Sequence, residues 1–140
     1  MKMKMENVKN DDLYNAEVEE RVFKTESLED KASTAIVAQA MVAPDFKNRE
    51  CIGKAFWCVG YVIRDVALDD GMHTGIILID DEGQSYSTIS AGVAKIVTSW
   101  KKAGLYPTWE EPLWVEYREE SKGTYRYYTV KMNPRKKYEG

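Results

Sequence analysis

The sequence predicts a mainly β fold: five strands curled into a small barrel, one helix between the third and fourth strands, and an N-terminal extension containing another helix. Three observations lead there. From residue 54 onward, runs of aromatic and β-branched residues are separated by turn signals such as Asp69-Asp70-Gly71 and Asp81-Glu82-Gly83. A single helical stripe, Val93, Ile96, Val97 and Trp100, interrupts those runs once. The 140 residues, 44% hydrophobic and 31% charged, suit one domain with a packed core.

The elements follow in order. Met1 to Asn10 is polar and reads as a frayed end. Tyr14 to Phe23 fits a short strand or a helix equally. Ser27 and Asp30 have the spacing of a capping box. Leu28, Ala32, Ala35, Ile36 and Ala40 then form one face of a helix near 28–43, which ends before Pro44. Its alanines suit close packing, on the main domain or on a second copy. Pro44 to Gly53 reads as a connector, so residues 1–50 form the extension and 51–133 the barrel.

Lys54 to Asp65 is the first barrel strand, His73 to Asp80 the second and Gln84 to Ile89 the third. Ser90 caps the helix, Lys101 and Lys102 favour its C-terminus, and Gly104 ends it. Pro107 and Pro112 bound a loop whose Trp109 is an anchor or a ligand-contacting lid. Leu113 to Glu119 and Thr124 to Met132 complete the strands, and 134–140 is a basic tail. The order β-β-β-α-β-β is that of an OB-fold barrel. An open five-stranded sheet with the helix across one face is the alternative. Gly60 suits the bend a long first strand needs to serve both sides of a barrel.

Several chemistries are excluded or left without residues. His73 is the only histidine, and Cys51 and Cys58 lie at a spacing typical of neither zinc nor redox motifs. No nucleophile elbow or phosphate-binding glycine loop is present. The expectation is a non-enzymatic protein with no metal, no cofactor and no small-molecule substrate. No apolar run is long enough to span a membrane, and no secretory leader follows the charged start, so a cytoplasmic location is expected.

Charge is segregated along the chain. The net charge is −3, yet residues 122–137 hold Lys122, Arg126, Lys131, Arg135, Lys136 and Lys137 without an acid. On the fifth strand Tyr125, Tyr127, Thr129 and Lys131 share one face; Tyr128, Val130 and Met132 share the other and read as core. In the first strand Trp57, Val59, Tyr61 and Ile63 alternate with Phe56, Cys58, Gly60, Val62 and Arg64, and either set could face inward. Tyr86, flanked by serines, is a candidate for exposure. Trp114 shares the polar face of the fourth strand and is the weaker aromatic candidate. Exposed rings beside cations suit single-stranded nucleic acid, whose bases stack and whose phosphates need Lys or Arg.

Two segments carry a family resemblance: Asp81-Glu82-Gly83-Gln84-Ser85-Tyr86-Ser87-Thr88-Ile89-Ser90-Ala91-Gly92-Val93-Ala94 and Thr124-Tyr125-Arg126-Tyr127-Tyr128-Thr129-Val130. Over about residues 51–132 the chain resembles the small single-stranded DNA-binding proteins of phages and conjugative plasmids of Gram-positive bacteria. The resemblance implies an OB-like barrel that coats single strands during replication or conjugative transfer. It implies base stacking by Tyr86 and the fifth-strand tyrosines. The strand faces add Tyr61 and Trp57 for bases, and Arg64, Arg126 and Lys131 for phosphates. Cellular bacterial single-strand binders end in an acidic tail with a terminal Phe; this chain ends in a basic one, Pro134 to Gly140. The expected partner is single-stranded DNA, with RNA as the other strand type, and residues 1–50 could mediate self-association. A protein-interaction module with an acidic surface is the rival reading.

Overall fold

The computed structural model describes residues 22–139. In chain order the described elements are β1 (Phe23–Lys24), a 3-10 turn (Glu26–Leu28), α1 (Lys31–Val42), β2 (Phe46–Lys47), a second 3-10 turn (Asn48–Cys51), β3 (Ala55–Leu68), β4 (Gly71–Asp80), β5 (Ser85–Thr88), α2 (Ala91–Ala103), β6 (Leu113–Lys122) and β7 (Tyr125–Asn133). The fold is mainly β. One mixed sheet, in the order β2-β5-β4-β3-β6-β7, curls into a half-barrel, and β1 adds to β3 off that path. Only the β2–β5 pair is parallel among the described strands.

The half-barrel turns on β3. Ala55 to Cys58 pairs with β6, whereas Cys58 and Gly60 to Leu68 pair with β4, and the β3–β4 register shifts between Cys58 and Gly60. The extra residue, Val59, is a bulge that bends the strand and reverses which face later residues occupy. Phe56 and Cys58 therefore lie in the same core as Tyr61, while Val59 and Val62 lie on the opposite side of the sheet. Gly60 is required for packing: a Cβ there would stand 2.7 Å from Thr25 Oγ1 and 2.8 Å from Leu28 Cγ.

Two cores sit on the two sides of the sheet. The larger joins Phe56, Cys58, Tyr61, Ile76, Leu78, Val115, Tyr117 and Val130 to the buried stripe of α2, Val93, Val97 and Trp100. Ser90 caps α2 through the Val93 amide, and Gly104 ends it in the left-handed conformation with φ 79°. The smaller core packs Leu28, Val37 and Ala40 over Val59, Val62, Ile77 and Ile79.

The extension differs from expectation in phase. Asp30, not Ser27, caps α1, accepting from the Ser33 amide at 3.0 Å. Ser27 instead donates to the Val59 and Pro107 carbonyls. Because the helix begins at Lys31, its buried residues are Ser33, Val37 and Ala40, and Ala32 and Ala35 face outward. Trp109 is an anchor: its indole N–H donates to Ser33 Oγ at 3.1 Å. The segment read as a connector supplies β2 and the buried Cys51. Of the undecided stretch 14–23, only Phe23 enters a described strand, pairing with Ile63. Residues 14–21, and the expectation of fraying over 1–10, lie outside the described residues.

Candidate nucleic-acid interface

The candidate surface is the side of β3, β6 and β7 that faces away from the larger core. Cross-strand partners share a face, and the register aligns Trp57 with Trp114 and Asn133, and Glu116 with Lys131. Further along, Arg118 aligns with Thr129, Glu120 with Tyr127, and Lys122 with Tyr125. One continuous face thus carries an aromatic pair at each end with mixed charge between them. Trp57 and Trp114 meet edge to face at 5.1 Å. Tyr125 and Tyr127 stack at 6.0 Å and 18° and are 66% and 36% exposed. Arg118 is paired with Glu116 at 3.0 Å, leaving Lys122 and Lys131 as the cations nearest the tyrosines in register.

The tail lies over the tryptophan end. Lys136 Nζ sits 4.3 Å from the centre of the Trp114 ring, within cation–π range. Tyr138 packs edge-on against Trp57 at 5.1 Å, and its hydroxyl donates to Asp81 Oδ2 at 3.3 Å. Trp114, the weaker candidate by strand alternation, belongs to this surface, as do Lys136 and Tyr138, which alternation did not select. Cross-strand register and the return of the tail place them there.

Of the eight residues expected at a binding site, the structure brings Trp57, Tyr125, Tyr127 and Lys131 to this face. Arg126 projects from the opposite face at the β6–β7 hairpin, 3.7 Å from Glu119, with its side chain 74% exposed. The other three are corrected. Tyr61 has no exposed surface, and its hydroxyl donates to the Leu105 carbonyl at 2.9 Å. The Val59 bulge turns it inward. Tyr86 is buried between Phe46, at 5.0 Å, and Phe56, at 3.9 Å, and donates to Asp80 Oδ2 at 2.8 Å. β2 supplies the covering ring. Burial pushes both phenols above their ordinary pKa, with the Asp80 carboxylate adding to the effect at Tyr86. Neither ring offers a face to a base.

Arg64 is half-buried beneath the C-terminal end of α1, where it donates to the Met41 carbonyl at 3.2 Å. That is a favourable place for a cation, since the helix ends with its carbonyls unpaired. Arg64 thus serves the extension and is unavailable to a phosphate in this arrangement. Met132, expected in the core, is 42% exposed.

Comparison with family models, curated proteins and solved structures finds no match. No described helix is long and apolar enough to cross a membrane. Among the described residues no group of three or more His, Cys, Asp or Glu is placed to hold a metal ion. Cys51 and Cys58 are buried thiols, each pushed up to about 12 mainly by desolvation, and so poor nucleophiles at neutral pH.

Proposed function

We propose that the chain is a sequence-tolerant single-stranded DNA-binding protein built on an OB-type barrel and acting in the cytoplasm during replication or transfer. The carrying observation is the exposed Tyr125–Tyr127 stack on a strand that also bears Lys131, facing the Trp57–Trp114 pair along one sheet surface. Flat rings bind bases through their π-faces whatever the sequence, and the flanking cations meet phosphates. A bent β3 shared by β4 and β6, with α2 between β5 and β6, supports the OB reading.

OB barrels usually bind ligands on the face of their second and third strands and on the loops beside it. In this chain the smaller core lies there: Leu28, Val37 and Ala40 cover Ile77 and Ile79 on β4. The fourth-to-fifth-strand hairpin remains open, and it carries Lys122 and Tyr125. The strand is therefore directed to β6 and β7, where the basic C-terminal residues are concentrated. The proposal assigns no chemistry to the protein.

Intrinsic fluorescence tests the proposal. Adding oligo-dT should quench tyrosine and tryptophan emission saturably, and duplex DNA of equal length should quench it far less. Unchanged emission at low salt would contradict it and favour a module that binds another protein.

A further inference from the structure

A separate groove, of about 610 Å³, runs between α2 and the start of β4. It is lined by Met72, His73 and Thr74 from β4, by Ile89, and by one face of α2: Ala91, Ala94, Lys95, Thr98, Ser99 and Lys102. This helix face adjoins the core stripe and repeats at three and four residues. On the helix side it combines the small Ala91, Ala94 and Ser99 with the exposed Lys95 and Lys102. No carboxylate lines it among the described residues.

The lining changes character along the helix. At the first turn it is apolar, with Ala91 and Ala94 beside Ile89; over the next two it carries Lys95, Thr98, Ser99 and Lys102. Lys95 and Lys102 are two turns apart, about 10 Å along the axis, too far to clasp a single phosphate. Ser99 already donates to the Ile96 carbonyl, so the hydroxyl donors left on this face are those of Thr98 and, across the groove, Thr74. Asp70 holds His73 Nε2 at 2.7 Å, which fixes the ring at the groove wall and leaves its second nitrogen for another partner.

From this lining we infer that the α2–β4 groove binds an organic polyphosphate of nucleotide size, its ring against Ala91, Ala94 and Ile89 and its phosphates between Lys95, Thr98 and Lys102. The volume lies within the range of small-molecule sites, and the combination of apolar wall and a few placed polar groups is what such sites use. The inference is independent of single-strand binding, because none of the groove residues lies on the β6–β7 face. Binding alone is inferred, with no turnover.

Calorimetric titration of the full chain tests it, with ATP, pyrophosphate and adenosine as probes at low ionic strength without magnesium. Saturable binding of ATP is expected, with pyrophosphate weaker and adenosine negligible. The Lys95→Ala/Lys102→Ala variant changes only exposed side chains and should weaken ATP at least tenfold, with oligo-dT affinity within twofold of wild type. Thr98→Phe, which fills the groove, should also weaken ATP. No saturable ATP binding to the wild type would overturn the inference. So would unchanged ATP affinity in the lysine variant, or a parallel loss of oligo-dT binding, which would place the lysines on the nucleic-acid path instead.

Discussion

Tyr125 and Tyr127 have exposed rings and a neighbouring cation, Lys131, on their own strand. Losing both should matter to a ligand and little to the fold. Tyr125→Ala with Tyr127→Ala is expected to weaken oligo-dT by roughly 5- to 150-fold for each stacked base lost, measured by anisotropy. The stability cost should stay below about 1 kcal/mol in urea unfolding, each exposed site contributing no more than about 0.5. Tyr86 should show the opposite pattern. Its hydroxyl joins the Glu82 and Gln84 amides in satisfying the buried Asp80 carboxylate. Tyr86→Phe removes one of these donors, so it should cost about 1–3 kcal/mol of stability and leave oligo-dT affinity unchanged. The β7 tyrosines were legible in the sequence because that edge strand alternates regularly. Tyr61 and Tyr86 were not, because a bulge and a two-residue strand redirected them, and period-two counting detects neither.

Among the elements, α2 depends on one close approach. A Cβ on Gly92 would stand 2.2 Å from the Tyr128 carbonyl oxygen of β7. Alanine ordinarily favours a helix over glycine by about 1 kcal/mol. Here the obstacle is backbone, which no rotamer change can clear, so overpacking of about 1–3 kcal/mol should prevail. Gly92→Ala is expected to lower the melting temperature, and a rise would show that α2 and β7 are not in contact as described. The apolar stripe of α2, with its serine cap and terminal glycine, was readable directly. α1 was readable as a helix but not in phase, because Leu28 belongs to a 3-10 turn that precedes it and buries independently. β2 carried no signal: two residues next to a proline-bounded stretch cannot display a period.

At the scale of the molecule, the extension and the tail decide which surface stays open. On the side of the sheet away from the larger core, the extension covers Ile77 and Ile79 of β4 and the tail rests on Trp57 and Trp114. The element order of the half-barrel was legible because each strand is bounded by turn residues. The covering of β4 was not, since nothing local says which sheet face a preceding helix will meet. A net charge of −3 conceals this arrangement, because acidic and basic residues are separated along the chain and Lys122, Lys131 and Lys136 gather at β6, β7 and the tail. With Arg118 held by Glu116, these three lysines are the cations this side presents. Single-strand binding by this face is tested most directly by titrating labelled oligo-dT with the wild type and the Tyr125→Ala/Tyr127→Ala variant across a series of salt concentrations. Three phosphate contacts predict a log–log salt slope of about −2 for single strands, retained by the variant at a lower affinity. A flat salt response, or a variant that binds as tightly as the wild type, would contradict the assignment of this face to single-stranded DNA.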